Sequence, residues 1–124
     1  MTAMLLLCAV ACGGNKQLGA QHDADRISRQ EIMAGSFATA YDVVRNLHPN
    51  WLRLHNAESS RIVSQIWVYL DGTKYGGINQ LNNIRAGTIA SIERIDPRTA
   101  TTRWGSGHSE GVIYVTTLTN GNSP

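Results

Sequence analysis

Apolar side chains recur at helical steps early in the chain and in alternating or continuous short blocks later. Phe37, Ala40, Tyr41, Val44 and Leu47 stand on one side of a helix with 3.6 residues per turn. His48-Pro49 ends that helix, because proline lacks the helical N–H and disfavours helical geometry in the residue before it. Upstream, Ser28 and Glu31 have the spacing of a capping box, which predicts a short helical turn near the start of the folded part. Residues 62–70 are rich in β-branched and aromatic side chains. From Ile66 to Leu70 both alternating faces are apolar, as in a central strand. Asp71-Gly72 then supplies the positive φ angles of a tight hairpin, so 73–75 is expected to return antiparallel, with Gly76-Gly77 ending the return. Leu81, Ile84, Ile89, Ile92 and Ile95 predict a helical turn near Thr88 followed by a strand over 91–95. Asp96-Pro97 closes that strand, 98–102 is expected to be a connector with a turn at Gly105, and 111–117 is the last strand, opened by Gly111.

This pattern predicts an α+β fold: a small mixed β-sheet with a β-hairpin and one or two covering helices. A chain of 124 residues suits one domain, and 42% apolar against 16% charged residues places it among globular rather than disordered sequences. The net charge is +2, with Lys and Arg scattered rather than clustered, so no nucleic-acid partner is expected. The two cysteines, Cys8 and Cys12, have no distant mates and define neither a disulfide framework nor a metal site. Their setting is that of a secretion signal. An apolar run of about nine residues, too short for the about 20 that span a bilayer, ends in small residues at Ala9-Val10-Ala11-Cys12. Cys12 is therefore the expected lipidation site. Cys8 is the weaker competitor, since bulky Leu7 precedes it, and the alternative for 3–12 is a buried element of the domain. No Lys or Arg stands ahead of the apolar run, which fits either a true start slightly upstream or an inefficient signal. The expected organisation is a lipoprotein signal with its lipidated cysteine at 1–12, a polar tether at 13–26, a domain at 27–118 and a frayed tail at 119–124.

Taken together, Val68-Tyr69-Leu70-Asp71-Gly72, Gly76-Gly77, Leu81 and Ile84, Ser91-Ile92-Glu93-Arg94-Ile95, Ala100, Trp104-Gly105 and 111–117 form an ordered set. It resembles the second half of the plug domain of TonB-dependent outer-membrane receptors. The helix at 38–44 sits where plugs carry their early helix, and 45–52 is similar to a variant in short, free-standing plug-like lipoproteins. The resemblance covers roughly 27–118 and implies a plug-domain-like fold. It also implies a lipid-anchored location at the periplasmic face of the outer membrane, and a protein partner in an uptake or envelope system. The family pattern is not followed throughout. Trp104 stands where tyrosine is usual, no TonB-box-like segment occurs between Gly13 and Ile27, and no strands for a barrel are expected after the plug-like part. A remnant of a decayed receptor is a further alternative.

Gly107-His108-Ser109-Glu110-Gly111 matches the G-x-S-x-G pattern of a nucleophile elbow and raises a rival reading, a small envelope hydrolase using Ser109 and His108. An elbow needs a strand before the serine and a helix after it. Here a strand follows, so a glycine-rich turn is favoured and no catalytic residue, metal or cofactor is expected. His22, His48, His55 and His108 show no ligand spacing and are expected at the surface. Asp71 is assigned to the turn and Glu93 to an outward position beside Ile92. Trp51, Trp67 and Trp104 are expected as core or rim side chains, and Arg85, Arg94, Arg98 and Arg103 as a basic rim. The candidate binding site is the loop holding Arg103, Trp104, His108 and Glu110, where glycines and serines free the backbone and these four side chains are expected to face a partner.

Overall fold

The computed structural model describes residues 24–54 and 65–119. The signal segment with Cys8 and Cys12, the tether as far as residue 23, His22, His55, strand positions 62–64 and the tail from 120 onward lie outside the described residues.

One mixed sheet organises the fold. Its strands are β1 (Arg26–Ser28), β2 (Trp67–Leu70), β3 (Thr73–Gly77), β4 (Ile89–Ile95) and β5 (Val112–Thr117), in the order β1-β4-β5-β2-β3. Every neighbouring pair is antiparallel except β2 and β5. The chain is therefore an α+β domain with a mixed sheet and a hairpin, as its hydrophobic pattern predicts. The middle position belongs to β5, and β2 is an inner strand between β5 and β3.

The hairpin forms where Asp71 and Gly72 both adopt positive φ, 50° and 88°, the pair of angles that matches strand twist in a tight turn. Asp71 does more than turn the chain. Its carboxylate accepts hydrogen bonds from the Thr117 amide (2.8 Å) and hydroxyl (2.7 Å), tying the hairpin to the end of β5. The return strand ends at Gly76-Gly77 as expected, with the two glycines themselves paired to Val68 and Trp67 beyond a bulge between Val68 and Tyr69.

The described residues form three α-helices: α1 (Arg29–Ala34), α2 (Ala40–Leu47) and α3 (Pro97–Trp104). The capping box of α1 is formed, with the Ser28 amide donating to the Glu31 carboxylate (2.7 Å) and the Glu31 amide to the Ser28 hydroxyl (3.3 Å). Helix α2 begins later than the position of Phe37 suggests. Thr39 holds an extended backbone and exchanges the same reciprocal bonds with Asp42, so Phe37 packs on the core from outside the helix. The expected connector at 98–102 is instead the body of α3. Asp96 caps it through hydrogen bonds from Thr99, which hold its carboxyl below the usual range, and Pro97 occupies the first turn, where no N–H is needed.

The main core lies between one sheet face and the α1/α2 layer. Ile27, Val68, Ile92, Ile113 and Val115 from the strands meet Ile32, Val43 and Val44 from the helices, with Trp51 and Leu81 closing the margins. Burying each such side chain contributes roughly 1.5–3 kcal/mol, which makes this face the main source of stability.

Candidate functional site

Strand alternation sends Trp67, Tyr69, Val112 and Tyr114 to the opposite face of the sheet, where Trp67 pairs with Val112 and Tyr69 with Tyr114 across the parallel β2/β5 ladder. Helix α3 is the helix packed on this side. Its Ala100 is fully buried beside Tyr69 and Val112, while Trp67, Ile95, Trp104 and Tyr114 are only partly buried. The Trp104 ring lies on Tyr69 with centroids 4.4 Å apart and faces Tyr114 at 6.3 Å. The result is a partly exposed aromatic strip.

Two cations lie on that strip. The Lys74 ammonium sits 3.4 Å from the centre of the Trp67 ring, and the Arg103 guanidinium 4.6 Å from Trp104 and 5.5 Å from Tyr114. Both residues are exposed, and neither is paired with a carboxylate among the described residues. Nearby acids are already engaged: Glu93 pairs with Arg26 at 3.2 Å, Asp71 binds Thr117, and Asp96 caps α3.

The loop 105–111 packs on this face. It is fastened by the Trp67 indole N–H, which donates to the Gly107 carbonyl at 2.9 Å, and by His108. The His108 Nδ1 lies 2.9 Å from the Gly105 carbonyl, which can only accept, so Nδ1 carries the proton. In the neutral ring Nε2 then accepts from the Tyr69 hydroxyl at 3.0 Å. Burial raises the Tyr69 pKa. Gly111 closes the loop at φ 85°, and a Cβ there would lie 2.6 Å from the Ile95 carbonyl oxygen.

The four expected binding residues divide into two pairs. Arg103 and Trp104 belong to the last turn of α3 rather than to the loop, and remain accessible. His108 and Glu110 are 5% and 2% exposed, so neither is presented to a partner, and His108 is not the surface histidine its sequence context suggests. The reason is that the loop folds back over Tyr69 and Trp67, carrying both side chains inward. His48 is half-buried and stacked on Trp51 at 4.4 Å.

The G-x-S-x-G segment follows a helix and precedes a strand, and both His108 ring nitrogens are bonded away from Ser109. His108 is therefore not placed as the base of a Ser109 nucleophile. Trp51 is buried in the main core, whereas Trp67 and Trp104 form the rim of the second cluster. The four arginines do not share one face. Arg98 and Arg103 ride on α3, while Arg85 lines an open hollow of about 250 Å³ with Leu70, Tyr75 and Ile84 on the helix-covered side.

Lys74, Tyr69 and Tyr114 complete the strip without having been expected in it. The parity of Trp67 with Tyr69 and of Val112 with Tyr114 is visible in the sequence, but the parallel pairing that merges the two sets is not. Among the described residues no group of three or more His, Cys, Asp or Glu could hold a metal ion, and no helix is long and apolar enough to cross a membrane. The chain matches no protein-family model, no curated protein and no solved structure.

Proposed function

We propose that this chain is a non-catalytic interaction module, plug-like and lipid-anchored through Cys12 at the periplasmic face of the outer membrane, which holds a protein partner on its α3 face. The observation that carries the binding surface is the aromatic strip of Trp67, Trp104 and Tyr114. It is left partly uncovered by one short helix and carries two cations that pair with no carboxylate among the described residues. Aromatic and arginine side chains set on a rigid sheet are the residue types that dominate protein recognition. The plug-like and envelope parts of the reading are supported by the ordered hairpin, strand, helix and closing strand, and by the signal-like start of the chain.

Two experiments test the reading. A photo-crosslinker at exposed Ser106 should capture one partner in living cells, whereas the same group at exposed Arg45 on α2 should not. Capture should disappear in an Arg103→Ala, Trp104→Ala double variant that still folds. Equal capture from both faces, or persistence in the double variant, would rule out the α3 face. Fatty-acid labelling tests the anchor separately, since label retained in Cys12→Ala would remove the lipidation assignment.

A further inference from the structure

We propose that the open hollow on the main-core side of the sheet binds a small aromatic acid, a single ring carrying one carboxylate, and that Arg85 holds the carboxylate. The site is separate from the α3 face and does not depend on what that face holds.

The hollow forms where the ends of β2 and β5 meet two short 3-10 turns, Ile78–Asn83 and Ala86–Thr88. Leu70, Tyr75 and Ile84 line it as apolar walls, while Arg85, Thr88 and Thr117 bring polar groups. Ile84 and Ala86 are buried in the main core, so Arg85 between them is turned outward and is exposed. Backbone bonds hold this stretch from both sides. The Ile84 carbonyl accepts from the Ala40 amide at 2.8 Å, the Ala86 amide donates to the Ala38 carbonyl at 3.1 Å, and the Thr88 carbonyl accepts from the Leu118 amide at 2.9 Å. A site whose walls are already fixed loses little freedom when a ligand arrives.

The chemistry of the lining selects the ligand. Among the described residues that line the hollow, only Arg85 carries a charge, and its guanidinium forms no ion pair with a described carboxylate. The Thr88 hydroxyl donates to the Arg85 carbonyl at 2.8 Å and the Thr117 hydroxyl to the Asp71 carboxylate at 2.7 Å, so neither has a proton left for an anion. An anionic head therefore finds its strong donor in Arg85, whose forked N–H groups match a carboxylate. Asp71 keeps its negative charge behind Thr117 and repels a second anionic group, and the apolar walls do not solvate one. A single carboxylate is the head that fits.

Size and shape select the body. A volume of about 250 Å³ lies just under the roughly 300–1,000 Å³ of pockets that take drug-sized ligands, which suits one ring with a short head. Tyr75 is 40% exposed and supplies an aromatic wall for that ring. A flexible aliphatic acid offers the same head but gives up rotamer freedom that a ring does not have.

The test titrates the full chain, labelled with nitrogen-15, with benzoate, benzamide and hexanoate and follows the backbone amide resonances. Benzoate should shift the amides of 84–88 and Thr117 saturably, and should bind more tightly than hexanoate. Arg85→Gln should weaken benzoate by about tenfold, as expected for one charge-assisted hydrogen-bonded pair, and leave benzamide unchanged. Tyr75→Ala should weaken benzoate and benzamide alike, whereas Arg98→Gln, on α3, should alter neither. All three positions are exposed, so the variants should keep the parent's amide spectrum away from the substitution. No saturable shift at 84–88, shifts centred instead on Trp67 and Tyr114, equal binding of benzoate and benzamide, tighter binding of hexanoate, or benzoate affinity that survives Arg85→Gln would each overturn the assignment.

Discussion

The two faces of the sheet are built from the same strands and are covered differently. Toward α1 and α2 the alternating positions are aliphatic and fully covered, as at Ile92, Ile113 and Val115. Toward α3 aromatic and polar positions join the aliphatic Val112 and Ile95, and even the best-covered patch is rimmed by half-exposed rings. A closed aliphatic face gains stability from burial and offers nothing to a partner. A half-open aromatic face gives up some of that burial and keeps apolar area and charge available for association. The main core thus lies on one side, and the proposed binding surface on the other.

The sharpest way to break this assignment is a cavity on the aliphatic side. Ile113→Ala should cost about 2–5 kcal/mol in urea unfolding, because the residue is wholly buried in the middle strand. A loss below about 1 kcal/mol would mean the core is not where the packing places it. Gly111→Ala comes next, at about 2 kcal/mol, since it combines positive φ with a Cβ driven against the Ile95 carbonyl. A melting curve unchanged from the parent protein would show that the loop has another way to enter β5.

Tyr69→Phe probes the seam between the faces. Removing the hydroxyl leaves His108 Nε2 without its donor and should cost about 1 kcal/mol at neutral pH. It should also change the alkaline response. Because burial raises the Tyr69 pKa, the unfolded chain loses that proton first. The stability it lends is complete below the ordinary tyrosine pKa of about 10 and is lost as pH rises through the raised value. The variant should therefore lose less stability than the parent between neutral and strongly alkaline pH, and equal alkaline slopes would contradict the buried-hydroxyl account.

Smallest of all should be the effect of Arg103→Ala on folding, within about 0.5 kcal/mol, because the residue is exposed. That near-neutrality paired with loss of partner capture is the signature of a recognition residue. A large loss of stability would instead make Arg103 part of the scaffold.

Much of the scaffold is legible in the sequence because its signals are local. The Ser28/Glu31 box, the Asp71-Gly72 turn and the β-branched run before Thr117 all act within a few residues. Helix α3 is missed because Asp96-Pro97 has two readings, a strand terminator and a helix start, and only packing of Ala100 against Val112 decides between them. The site is half legible. Arg103 and Trp104 stand out by composition, but the inward turn of His108 depends on Tyr69, 39 residues away, and no local pattern encodes it. Lys74 joins the strip only through the hairpin register.

The bond between Asp71 and Thr117 spans 46 residues and stands at the one parallel junction of the sheet. Flanking it are two pairs of chain neighbours, the β2–β3 hairpin on one hand and β4 with β5 on the other, while distant β1 joins at the outer edge of β4. Order of assembly follows from that layout. Each of these two pairs can form early at low loop-closure entropy, whereas joining them requires the intervening chain to be gathered first. The aromatic strip draws on both halves, Trp67 and Tyr69 from one and Trp104 and Tyr114 from the other, so it comes into being only when that last junction closes.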